Sequence, residues 1–209
     1  MKRNKILFFS LLFIIITTSN IFAWEMTAKG IKGGVNFATL SGPDSEFYDF
    51  GPQRYTTFSV GGFMVYTKDE KINIQPEVYY CRKGVKYDEY DVEITFKLDY
   101  IDVPVLATYE LAENIRAFAG PSLGIYLGSS YEVLVDGSME ESGDLSEYAD
   151  MSGIDFGLVL GGSFSMNKII FDARYSFSLT TVVNEWYDEG DTTVNVKNNL
   201  IQLLVGYKF

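Results

Sequence analysis

Histidine is absent from the 209 residues, and Cys81 is the single cysteine. These gaps exclude Ser–His and Cys–His catalysis, His-based metal sites, thiolate zinc clusters and a disulfide framework. Positive charge is also scarce. With 17 basic against 28 acidic residues, net −11, the chain has no electrostatic footing on phosphate backbones, and no nucleic-acid partner is expected. No calcium-loop spacing and no Ser–Lys motif is present, so neither a cofactor, a metal site nor an enzymatic activity is expected. What the chain does have is 47% hydrophobic residues, 16 Phe, 15 Tyr and 19 Gly, too much apolar surface to stay unfolded.

Residues 1–23 stand apart. Lys2, Arg3 and Lys5 precede an apolar run of 11 positions, Ile6 to Ile16, and a polar stretch then leads to Ala23. A bilayer-spanning helix needs about 18 apolar residues. The run is too short for that and reads as a secretory signal peptide cleaved after Ala23. Removing its three basic residues leaves 14 against 28 acidic ones, net −14, on a single domain spanning 24–209. No later segment is long and apolar enough for a helical span.

Beyond residue 24 the hydrophobic period is two. Ile72–Asn73–Ile74–Gln75–Pro76–Glu77–Val78 alternates strictly, as does Phe171–Asp172–Ala173–Arg174–Tyr175–Ser176–Phe177. Eight strands are expected, roughly 29–39, 56–67, 71–82, 93–109, 114–128, 153–166, 168–180 and 198–209. Most are longer than the usual five or six residues, and about 9–11 suffice for a tilted strand to cross a bilayer. Connections alternate in length. Thr67–Lys71, Leu111–Asn114 and Ser165–Lys168 are tight, whereas those near 40–55, 83–92, 129–152 and 181–197 are long and polar. Tight turns at one end and long loops at the other fit an all-β, eight-stranded antiparallel transmembrane β-barrel, with both termini at the periplasmic end.

The faces carry the same message. One presents Ile72, Ile74, Val78, Phe156, Leu158, Leu160, Phe171, Tyr175 and Phe177. The other presents Glu77, Lys97, Asp99, Arg116, Asp155, Asp172 and Arg174, interspersed with glycine and serine. Small residues beside long charged ones suit the cramped interior of an eight-stranded barrel. Buried charges need partners, so these seven are expected to form an ionic plug. Arg174 is expected to reach Glu77 and Asp155 on other strands. Asp172, roughly 6–7 Å away along the same strand, is expected to lie too far from it to pair tightly. Cys81 is expected inside as a small hydrophobe. Lys83 and Lys86 read as rim lysines, facing anionic lipid headgroups or plain solvent.

The last strand places Ile201, Leu203, Val205, Tyr207 and the terminal Phe209 on one face. That is the form of an outer-membrane assembly signal, which makes the barrel-assembly machinery and outer-membrane lipids the expected partners of a monomer. Between Ser129 and Ser152 lie seven acids and no base. These loops are expected either to be a solvated, aggregation-resistant surface or to bind divalent cations or attract a cationic partner.

The segments KGIKGGVNF (29–37), IQPEVYYCRKG (74–84), LDYIDVPV (98–105), AGPSLG (119–124), DFGLVLG (155–161) and ARYSFSL (173–179) resemble the PorT-like outer-membrane β-barrel family of small, OmpX-like barrels. The resemblance spans nearly the whole mature chain and implies location in the bacterial outer membrane. The family namesake is linked to protein secretion and gliding. The functions that follow are a structural or adhesive scaffold presenting acidic loops, a narrow porin-like channel, or an accessory barrel of a secretion system.

Overall fold

The computed structural model describes residues 24–45, 51–68, 71–186, 192–193 and 195–209. The segment read as a signal peptide, with its cleavage point at Ala23, lies outside them. Eight antiparallel strands form a ring: β1 Glu25–Ser41, β2 Tyr55–Thr67, β3 Ile72–Glu89, β4 Val92–Ala112, β5 Ile115–Val135, β6 Ile154–Met166, β7 Ile169–Ser178 and β8 Lys197–Lys208. Each pairs with its sequence neighbours, and β8 returns to β1 in unbroken register from Gly30↔Lys208 to Ser41↔Lys197. Closure leaves no unpaired edge around the ring, which a bilayer demands because lipid cannot satisfy free backbone groups. Among the described residues no helix is long and apolar enough to cross a membrane.

The exposure pattern is inverted relative to a soluble barrel. Val35, Val60, Val78, Leu160, Phe171 and Val205 point outward and are exposed, while Lys32, Asn36, Glu77, Asp172, Arg174 and Gln202 are buried inside. Period-two alternation produces this directly, since successive Cβ atoms leave opposite faces of a strand. The apolar belt is the lipid-facing surface.

At the short-turn end, Asn114 (φ 68°) and Asn167 (φ 55°) take the left-handed conformation that lets two-residue turns reverse the chain. At the other end two segments read as long loops are strand instead. β3 and β4 continue to a two-residue turn at Tyr90–Asp91, whose φ values of 48° and 67° match the twist-compatible hairpin turn. β5 runs to Val135 and folds back at Asp136–Gly137 into a short strand, Ser138–Gly143. A single 3-10 turn at Leu145–Glu147 follows, capped by the Asp144 carboxylate accepting the Ser146 N–H at 2.9 Å. That bond holds the Asp144 carboxyl below the ordinary carboxylate range.

This end carries the largest apolar cluster among the described residues. Leu145, Ala149 and Met151 fold inward onto Leu40, Val85, Tyr87, Leu98, Tyr100, Val182, Val183 and Val196. Tyr87 donates its hydroxyl to the carbonyl of Ser45 at 2.7 Å, tying the first long loop to the same cluster. The mouth is thereby capped by packed side chains.

Candidate functional site

The interior beneath the cap is filled by polar side chains in three tiers. The lowest is a charge quartet. Even positions of β1 and β7 and odd positions of β3 face inward, which brings Lys32, Glu77, Asp172 and Arg174 together. Lys32 Nζ lies 2.8 Å from both Glu77 Oε1 and Asp172 Oδ2. Arg174 holds both carboxylates, with Nη1 2.6 Å from Glu77 Oε2, Nη2 2.6 Å from Asp172 Oδ2 and Nε 2.9 Å from Asp172 Oδ1. Gln75 Nε2 donates to Glu77 Oε1 at 2.7 Å. The guanidinium carbon sits 5.5 Å and 5.1 Å from the ring centres of Tyr79 and Phe118, and Lys32 Nζ lies 4.8 Å from that of Phe63. Two bases and two acids sum to zero, so a dry interior tolerates them. Bidentate, charge-assisted bonds add fixed geometry to the pairing.

The middle tier is neutral. Asn36 Nδ2 and Ser59 Oγ lie 2.7 Å apart, Gln202 Nε2 donates to both residues at 3.1 Å, and Ser59 Oγ donates to Cys81 Sγ at 3.3 Å. Cys81 is fully buried and packs against Ala38 and Leu200. The upper tier is charged again. Lys83 Nζ lies 3.0 Å from Asp102 Oδ1 and 3.0 Å from Asp155 Oδ2, while Asn198 Nδ2 donates to Asp155 Oδ2 at 3.0 Å.

Of the seven charges expected inside, Glu77, Asp172 and Arg174 meet in the quartet and Asp155 lies in the upper tier, beyond the neutral one. Arg174 therefore pairs with Glu77 but not Asp155. It also grips Asp172, because its long side chain curls back along the strand and covers the two-residue rise. Lys97 and Asp99 are not interior. They flank buried Leu98 on the opposite face of β4, where Lys97 pairs with Glu132, and Asp99 with Arg82 at 2.7 Å and the Tyr80 hydroxyl at 2.7 Å. Arg116 sits half-buried towards the short-turn end, paired with Glu110 at 3.2 Å. Lys83 is no rim lysine; it is buried in the upper tier.

Against known proteins, residues 23–184 match the model of the outer membrane protein beta-barrel domain family. The chain belongs to this family. Its home is the bacterial outer membrane, where the exposed belt meets lipid. Two solved barrels share the fold. The crystal structure of Ail, the attachment invasion locus protein of Yersinia pestis, superposes with a TM-score of 0.51 at 14% identity, covering 88% of this chain and 100% of that one. Neisserial surface protein A gives 0.50 at 17% identity, covering 87% and 97%. No curated protein sequence matches.

Several interior residues of this outer-membrane barrel escape a reading that looks for charge in obvious strand centres. Lys32 alternates with Ile31, Gly33 and Val35, so its parity alone places it inside. Asp102 shares its face with buried Tyr100 and Leu106. Among the described residues no three His, Cys, Asp or Glu side chains converge as metal ligands. On the last strand, Leu203, Val205, Tyr207 and Phe209 are exposed to lipid, Ile201 is half-buried on the same face, and the Phe209 N–H donates to Lys29 O at 3.0 Å.

Proposed function

We propose that this barrel is a closed, non-enzymatic scaffold that holds an acidic surface at the cell exterior for attachment to basic surfaces or partners. The observation that supports the reading is the stacked interior: among the described residues a neutral ionic quartet, an amide and hydroxyl tier, a second charged tier and an apolar cap occupy the lumen in turn. The long-loop end rises above the bilayer as paired strands, so the acids between Ser129 and Ser152 stand on a stiff support. The Ail fold match is consistent with this, since that protein's name refers to attachment. The PorT-like resemblance supports a narrower reading, an accessory barrel of an envelope secretion machine, for which a co-purifying envelope protein is the test.

Two measurements separate scaffold from channel. Reconstituted in planar bilayers, the barrel should give no single-channel steps. Cells displaying it should adhere to polylysine-coated surfaces better than cells lacking it. That gain should vanish when Glu140, Glu141, Asp144, Glu147 and Asp150 become amides. Steady conductance with adhesion unaffected by the amides would replace this proposal with a channel.

We further propose that the barrel-assembly machinery reads Phe209. The residue is exposed, and its one backbone bond to β1 forms only when the ring closes. Deleting Phe209 should reduce the amount reaching the outer membrane while folding into detergent stays intact. Undiminished outer-membrane levels of the deletion variant would remove this role.

A further inference from the structure

We propose that the upper interior tier binds one small monovalent cation, of sodium size. The lower quartet balances two bases against two acids, but the upper tier sets Asp102 and Asp155 against Lys83 alone and is left at −1. A buried charge without a counter-charge is strongly unfavourable, so the tier as built calls for one more positive charge, a proton on a carboxylate or a bound cation, and the oxygens around it choose between them.

Hydrogen bonding gives the second, independent indication. Asp155 Oδ2 is saturated by Lys83 and Asn198, yet Asp155 Oδ1 and Asn198 Oδ1 have no hydrogen-bond partner. Asp102 Oδ1 touches Lys83 Nζ at 3.0 Å as an ion pair but is not aligned for a hydrogen bond. Besides the Tyr100 hydroxyl, whose ring lies 4.5 Å from Lys83 Nζ and which can donate to Asn198, three of the five unpartnered buried side-chain oxygens among the described residues belong to this one cluster. All three are acceptors, and Asn198 is 3% exposed.

Space gives the third. A cavity of about 20 Å³ lies against Lys83, Asp102, Asp155 and Asn198, with Ser122, Ser176 and Ser178 completing its polar lining, room for one occupant the size of a water molecule. Gly124 packs close to the two carboxylate residues, for a Cβ there would come 2.8 Å from Asp102 Oδ1 and 3.1 Å from Asp155 Cβ. A water could donate to two of the oxygens but would leave the charge unbalanced. A cation answers both needs. Oxygen-only donors select hard ions, while a site of charge −1 with few ligands, next to an ammonium, suits an alkali ion and not calcium, which takes six to eight oxygens.

The test is the urea midpoint of the full barrel in detergent, measured in LiCl, NaCl, KCl, CsCl and choline chloride at equal ionic strength. The midpoint should be higher in NaCl than in CsCl or choline chloride and should climb with the logarithm of sodium concentration. Asp102→Asn keeps the oxygen but removes the surplus charge, so its midpoint should be the same in all five salts. Should that variant fail to fold, the salt series on the unaltered protein decides alone. Equal midpoints in the five salts overturn the proposal, and a midpoint that then follows pH would give the missing charge to a bound proton.

Discussion

Arg174→Met is expected to lower the unfolding free energy of the barrel, measured by urea titration in detergent, by about 3–5 kcal/mol. The substitution leaves Glu77 and Asp172 facing Lys32 alone, one surplus negative charge among side chains that are at most 2% exposed. It also removes the guanidinium from between Tyr79 and Phe118, and methionine there makes no cation–π contact with either ring. The size of the loss depends on the interior being dry. In a wet pore, water would solvate the orphaned acid, the cost would fall below about 1 kcal/mol, and ion selectivity would shift instead. A second variant isolates the charge. Arg174→Met with Asp172→Asn restores neutrality, so the pair should be more stable than Arg174→Met alone, a non-additivity expected of residues in one network. Arg174→Lys should restore little, because an ammonium cannot bridge two carboxylates in the fork geometry seen here. A stable Arg174→Met protein with a measurable current would remove the plug and restore the channel.

The architecture was legible because it rests on a single period. Alternation located all eight ring strands, the tight turns at Leu111–Asn114 and Ser165–Lys168, and the outward belt of Ile72, Val78, Leu158 and Phe171. What escaped has a physical pattern. A charge marks the inner face of a strand only while the outer face is in lipid. Above the belt both faces tolerate charge, which is why Lys97 and Asp99 point outward although their residue types resemble those inside. The hydrophobic parity of Val103, Val105, Ala107 and Tyr109 carries the answer, since it puts odd positions of β4 outside and so Asp102 inside. Lys83 was missed for the opposite reason: the charged run Lys83–Asp91 resembles a loop, yet Val85 and Tyr87 keep the inward alternation going as far as the Tyr90–Asp91 turn. The apolar cap was not legible, because Leu145, Ala149 and Met151 sit without periodicity among acids. Only the closed ring brings them against Val182 and Val196.

The seam where the chain's first and last barrel strands meet sets the other large effect. Gly34 of β1 faces inward opposite Leu204 of β8. A Cβ at this position would lie 2.1 Å from the Leu203 carbonyl oxygen and 2.8 Å from the Leu204 Cα. Both obstacles are backbone, so no rotamer change relieves them, and Gly34→Ala must push β8 away from β1. Ordinary overpacking costs about 1–3 kcal/mol because side chains yield. Here the ladder itself opens, at a depth where no water replaces the lost bonds. Gly33 supplies the control, being the adjacent residue on the lipid side of the same strand. A Cβ there meets nothing nearer than 3.4 Å, the Ser59 carbonyl oxygen. Gly33→Ala should therefore refold into detergent and migrate on unheated gels like the native barrel. Gly34→Ala should yield little of the compact, heat-modifiable form, and what forms should unfold at markedly lower urea. If the two variants refold and unfold alike, the close approach at the seam is not what requires glycine there. If they differ as expected, barrel closure is limited by backbone contact between β1 and β8, independently of the charges that fill the interior.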